Sequence, residues 1–208
     1  LTIGRNAGEF QDRKLEADFY LTAAEKALIK NVSDIFHAQG KKLIVILNVG
    51  GVIEVASWRD QADAILLAWQ GGQETGKPNP YILTGNGNPS GKLATTFPMD
   101  YMDVPSAKNF PGTPADNPTE VVYAEGIYTG YRYYDAFEVK PAYEFGYGLS
   151  YSQFTYSNLK ISSKDFKKSL TVKVEVTNKG TTAGKESIQL YLTAPGKTLA
   201  KPTQELKG

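Results

Sequence analysis

The sequence predicts an α/β fold class, a partial parallel-sheet α/β sandwich, followed by a partial all-β sandwich. Three observations carry that reading. KKLIVILNVGG (41–51) and ADAILLAW (62–69) are nearly continuous apolar runs, the pattern of strands buried on both faces. Helix-like segments separate them in the order strand, helix, strand, helix, strand, which points to a parallel sheet. From residue 151 the pattern switches to two-residue alternation, which points to antiparallel strands.

In chain order, LTIG (1–4) reads as the end of a strand, and GRNAGEFQDRK (4–14) as a loop carrying the acid Glu9. Thr22 and Glu25 form a T-x-x-E capping box that starts a helix. Leu28, Ile29, Val32, Ile35 and Phe36 fall at helical spacing, on one predicted buried face. Gly40 stops the helix, and His37 sits in its last turn, where the helix dipole favours a cation. Residues 52–60 are expected to form a short helix between the two apolar strands. Together these make about half of a doubly wound sheet.

Residues 70–120 are rich in glycine, proline and asparagine. GNGNPSGKL (85–93) is a tight-turn segment, and Pro78 and Pro80 limit any helix before it. FPGTPADNP (110–118) reads as irregular chain on a surface. FTYSNLKIS, SLTVKVEVTN and ESIQLYLTAP are three predicted strands, with turns at SKDFKK (163–168) and NKGTTAGK (178–185). A sandwich needs about seven strands, so this one is expected to be incomplete, as is the sheet before it.

Composition excludes several function classes. Hydrophobic residues are 41% and charged residues 22% of the 208, ordinary for a globular chain. A net charge of +1 gives no drive toward nucleic acid or a membrane surface. The pairs Lys41–Lys42 and Lys167–Lys168 read as solvated strand ends. With no cysteine and a single histidine, thiolate and histidine-rich metal sites are ruled out. No apolar run approaches the ~20 residues that span a bilayer. GNGNPSG lacks the G-K-[ST] element of a phosphate loop. Neither cofactor nor metal is expected.

Four stretches, ADAILLAWQGGQETG, GNGNPSGKLATTFP, EGIYTGYRYYD and YEFGYGLSYSQFTYSNL, resemble in order and spacing the C-terminal half of family 3 glycoside hydrolases, the β-glucosidase group. The resemblance runs over nearly the whole chain. It implies residues 1–100 as the second half of an α/β sandwich domain, 101–150 as an interdomain connection, and 151–208 as the N-terminal part of a fibronectin type III-like domain. The family's barrel, with its nucleophilic aspartate and most sugar-binding residues, is absent.

Arg5, Gly8, Glu9, Asp12 and Arg13 match the family stretch R-x-x-G-E-x-x-D-R, so the resemblance implies Glu9 as the general acid/base. The family often has glycine after that glutamate, where this chain has Phe10. The chemistry suits the placement: a retaining glycosidase uses two carboxyls about 5–5.5 Å apart, one as nucleophile and one as acid and then base. A loop at a strand's carboxyl end can present such a group to a neighbouring cleft. The plain alternative is a solvated carboxylate paired to Arg13 or Lys14.

Of the other groups, Glu74 reads as a loop tie, Trp58 and Trp69 as packing, and the tyrosines of 128–151 as interdomain packing that keeps a wet hydroxyl. Arg132 is expected to stack or to pair with Glu125 or Asp135. The implied function is a fragment of a retaining, exo-acting β-glucosidase, inactive alone, with a β-linked oligosaccharide or aryl glucoside as substrate and the rest of the same enzyme as companion chain. The alternatives are a non-catalytic carbohydrate-binding or accessory module, and β-xylosidase specificity. A polysaccharide-degrading role would suit the periplasm or the outside of the cell.

Overall fold

The computed structural model describes residues 1–208 except Lys164, Asp165, Lys167 and Lys197. Lys167 of the second lysine pair, and half of the turn read at SKDFKK, therefore lie outside the described residues. The chain divides into two compact units. The first comprises Leu1–Gly76, Leu93–Tyr147 and Gln189–Gly208, and the second Lys77–Lys92 and Gly148–Ile188.

The first unit is built on a parallel sheet of β1 (Thr2–Gly4), β2 (Ile44–Asn48) and β3 (Ala64–Leu67), in the order β1-β2-β3. Ile3 sits opposite Leu47, and Ile46 opposite Leu66. The run predicted to be buried on both faces is fully buried on one: Val45, Leu47 and Val49 are at most 1% exposed, while Ile44 and Ile46 are half-buried. The strand predicted over 62–69 shortens to four residues. It lies at the outside of this three-stranded order, and Ala64 is exposed.

The helix predicted over 52–60 does not form. Ile53, Val55 and Trp58 are all inserted into the core, and only Arg59–Gln61 turns as a 3₁₀ segment. Burial of two β-branched residues at a spacing of two holds the chain extended there. Trp58 donates its indole N–H to the Glu54 carbonyl at 2.9 Å, and the buried Glu54 carboxylate accepts from the Ser57 N–H and hydroxyl at 2.5 and 2.7 Å.

Helix α1 (Ala23–Ala38) begins as predicted, with Thr22 and Glu25 closing a reciprocal capping box. It ends on Gly40 at φ +65°, with Lys41 N–H reaching the Phe36 carbonyl and Gly40 N–H the His37 carbonyl. Its buried face differs from the predicted one. Ile29 and Ser33, one turn apart, face the core, whereas Leu28, Ile35 and Phe36 are 45%, 57% and 41% exposed. Ser33 donates to the Gln61 carbonyl at 2.8 Å, which turns this polar residue inward. His37 Nε2 lies 2.8 Å from Asp63, whose carboxylate also takes Lys42 Nζ and the Leu43 N–H. Lys42, then His37, hold Asp63 well below the usual carboxylate range.

The rest of the first unit is laced by backbone pairing of Leu93 with Tyr147 and Gly146, and of Phe97 with Tyr143 and Ala142. Arg59 donates to the Ala142 carbonyl at 2.6 Å and lies over the Tyr143 ring. Tyrosines read as interdomain packing pair with rings of this same unit: Tyr131 with Phe145 and Tyr191, Tyr133 with Tyr134 and Phe137, Tyr143 with Phe97 and Tyr147. Arg132 lies over Tyr131 and pairs with Glu205 at 3.6 Å, in place of the predicted Glu125 or Asp135.

The second unit holds the helix α2 (Pro78–Leu83), begun by proline at its first position, and an antiparallel ribbon of β4 (Phe154–Ile161) and β5 (Val172–Asn178). The GNGNPSGKL turn is its fastener. The Asn88 side-chain oxygen accepts from Ser150 and from the Tyr151 N–H, and its amide donates to Ala183. Lys92 holds the Gly148 carbonyl and Glu186. The third predicted strand, 186–195, reduces to β6 (Tyr191–Leu192) in the first unit. Among the described residues it pairs with β7 (Glu205–Leu206), and Leu190 before it accepts from the Lys207 N–H and donates to the Gly208 carbonyl.

The observed face of α1 is tested by truncation in the 208-residue chain. Ile29→Ala is expected to cost about 2–5 kcal/mol in urea unfolding. Ile35→Ala, on the exposed stripe, is expected to stay within about 0.5 kcal/mol of wild type.

Candidate functional site

The carboxyl ends of the parallel strands collect the polar groups of the first unit. Gly4 ends β1, Asn48 ends β2, and Gln70 follows β3. With Arg5, Asn6, Ala17 and Asp18 they line a crevice of about 420 Å³. A crevice beyond the carboxyl ends of an open α/β sheet is where that architecture places ligands.

Arg5 is the first residue past β1. Its N–H extends the ladder to the Asn48 carbonyl, and its guanidinium forks onto Glu25 at 2.7 and 2.8 Å. The Arg5 side chain is only 6% exposed. Glu25 therefore serves twice, as the acid of the α1 capping box and as the partner of Arg5. Burial by itself raises the Glu25 carboxyl; hydrogen bonds from Arg5 and Thr22 more than offset that and hold it below its usual value.

Beyond Arg5 the chain makes a loop that carries Glu9 and returns through Arg13. Gly8 takes φ +78°. Glu9 is exposed, as is Phe10 beside it, and its carboxylate has no hydrogen bond or ion pair among the described residues. The alternative pairing to Arg13 is not made. Arg13 donates instead to the Val52 carbonyl at 2.9 Å and to the Asp18 carbonyl at 2.7 Å. Lys14 uses its backbone N–H to cap the Asp18 carboxylate at 2.8 Å. Burial lowers the Arg13 pKa from its usual value, with Asp18 opposing and Arg5 adding. The loop thus presents two exposed carboxylates without partners among the described residues, Glu9 and Asp12, beside the Arg5 and Arg13 guanidinium groups, whose terminal nitrogens are engaged.

The remaining candidates are accounted for as structure. Trp58 is buried. Trp69, at φ +52°, leans on Phe97 and is 36% exposed. Glu74 closes a 3₁₀ turn, Gly72–Glu74. Among the described residues no three His, Cys, Asp or Glu side chains are grouped as metal ligands. Sequence reading missed the Arg5–Glu25 fork and the roles of Arg13 and Asn88. Arg5 and Arg13 were visible only as fixed letters flanking Glu9, and nothing in periodicity links position 5 to position 25.

The chain matches the family model described as glycosyl hydrolase family 3 C-terminal domain over residues 1–151. It is 40% identical to the beta-glucosidase of Ruminococcus albus, over 99% of this chain and 21% of that protein. It is 38% identical to an exo-alpha-(1->6)-L-arabinopyranosidase of Bifidobacterium longum, over 90% of this chain and 24% of that one. Beta-glucosidase 3B of Thermotoga neapolitana, solved in complex with alpha-D-glucose, superposes with a TM-score of 0.95 at 57% identity, over 100% of this chain and 29% of that one. The chain thus spans between a fifth and a third of the length of these relatives.

The Arg5–Glu25 fork makes a prediction about pH. Arg5→Gln is expected to lower the stability of the 208-residue chain by about 1.5–3 kcal/mol at neutral pH. The folded Glu25 carboxyl titrates below its ordinary value of 4.5, so its contribution is complete above that pH and is lost as pH falls through the folded value. The gap between wild type and Arg5→Gln in urea unfolding should narrow between neutral pH and about pH 3.

Proposed function

The chain belongs to glycosyl hydrolase family 3, and on that premise we propose that it is the acid/base-bearing part of a retaining, exo-acting β-glucosidase that releases terminal non-reducing β-D-glucosyl residues. The observation that carries the proposal is Glu9: an exposed carboxylate, free of partners among the described residues, on the loop that leaves the carboxyl end of β1, inside R-x-x-G-E-x-x-D-R. Residues 1–100 are the second half of an α/β sandwich domain, 101–150 its connection, and 151–208 the first part of a fibronectin type III-like domain. A barrel elsewhere in the full-length polypeptide supplies the nucleophilic aspartate and the sugar pocket.

The reaction follows from the two carboxyls. As the nucleophile's oxygen bonds to the anomeric carbon, the Glu9 carboxylic acid passes its proton to the departing glycosidic oxygen. The glycosyl-enzyme remains, and Glu9 is left as carboxylate. Water then enters from the vacated face, Glu9 takes its proton, and the sugar leaves with its β configuration kept. A carboxyl in this role must be protonated before the first step and basic in the second, which asks for a pKa near the working pH. Glu9 has no cationic partner among the described residues.

Two outcomes are expected. The 208-residue chain alone does not turn over an aryl β-glucoside, because it lacks the nucleophile. In the full-length polypeptide, Glu9→Ala lowers the rate on an activated aryl β-glucoside by about 10²–10⁴-fold. Azide, which needs no base, restores turnover and gives a β-glucosyl azide. Unchanged activity without azide would overturn the assignment of Glu9.

A further inference from the structure

Glu9 poses a problem that its own contacts do not solve. A proton donor must be held within hydrogen-bond reach of its target, about 2.6–3.2 Å between heavy atoms, yet this carboxylate is held by no side chain among the described residues. Its position has to come from the backbone beneath it. That backbone is wound on Arg13. A Cβ at Gly8, the residue before Glu9, would lie 2.7 Å from Arg13 Cγ and 3.3 Å from the Gln11 carbonyl oxygen, so the turn 8–13 closes directly on the Arg13 stem. On the other side, a Cβ at Gly51 would lie 2.6 Å from Arg13 Nη1. The guanidinium fills the gap between, with Nη1 on the Val52 carbonyl and Nη2 on the Asp18 carbonyl.

We propose that Arg13 is the positioning residue of the acid/base: it joins the Glu9 turn to the buried Val52–Val55 segment and to the Asp18 turn, and thereby aims Glu9. The inference rests on the acid/base reading of Glu9. Arg13 touches no reacting atom, and it acts by fixing three backbone segments at once. Ile53 and Val55, next to its anchor at Val52, are among the most deeply buried residues of the core, so the loop is referenced to the rigid part of the unit. Lysine does not reproduce it, because its ammonium lacks the planar, rigidly spaced N–H donors with which the guanidinium reaches both carbonyls.

The test uses the full-length polypeptide and two variants. Arg13→Lys keeps the charge and loses the fork. Gly51→Ala keeps the arginine and displaces its guanidinium, and carries the test if Arg13→Lys does not fold. The readout is kcat/KM across aryl β-glucosides of graded leaving-group pKa. A misaimed acid hurts only leaving groups that need a proton, so a loss of about 10–100-fold is expected for poor leaving groups and no more than about threefold for dinitrophenolate. In a Glu9→Ala background, Arg13→Lys should cost no more than about twofold further, because both changes remove the same function.

An equal loss across all leaving groups, additivity with Glu9→Ala, or no loss at all would each overturn the positioning role. Failure of the underlying reading looks different: Glu9→Ala itself would then show neither leaving-group dependence nor azide rescue. If Glu9→Ala behaves as an acid/base variant and Arg13→Lys does not steepen the dependence, only the role of Arg13 falls.

Discussion

Parallel strands cannot be joined by tight turns, so each connection in this sheet must travel back along its length before the next strand begins. All three strands therefore deliver their carboxyl ends to one edge. That constraint places Gly4, Asn48 and Gln70 side by side, opens the polar crevice between them, and sets the Glu9 loop at its rim. The return paths also explain the core. The helix α1 closes over Val45, Leu47 and Val49 with Ile29, and the chain after β2 dips inward with Ile53, Val55 and Trp58 rather than coiling at the surface.

Two arginines turn that edge into a defined surface, by different means. Arg5 spends its charge on a carboxylate, and so couples the strand end to the start of α1 through Glu25. Arg13 spends its donors on backbone carbonyls, and so couples the loop to the interior. A buried guanidinium without partners is costly, and the fork geometry satisfies two donors of each at once. The two carboxylates between them in sequence, Glu9 and Asp12, are left without partners among the described residues.

Much of this was legible in the residues. The capping box, the glycine stop, β1 and the buried run of β2 each rest on local chemistry that acts within a few residues. The family resemblance, carried by four motifs, matches the family model over 1–151 and the relatives' names. The failures share a cause. The predicted face of α1 counted apolar letters, but Ser33 turned inward because the Gln61 carbonyl offered its hydroxyl a partner. The predicted helix over 52–60 obeyed local propensity until burial of Ile53, Val55 and Trp58 outweighed it. The third alternating strand shortened to Tyr191–Leu192.

By itself, then, the sequence determined the elements whose energetics are local, and the place of Glu9 within R-x-x-G-E-x-x-D-R. Only the tertiary structure decided which side of α1 is buried, which carboxylate Arg5 takes, and that Arg13 holds carbonyls rather than Glu9. Those choices depend on which groups 20 and 39 residues apart come to share a dry site. A spacing rule reaches one or two helical turns. The cost of an unpaired buried polar group reaches across the whole core, and it is that cost which selected the partners seen here.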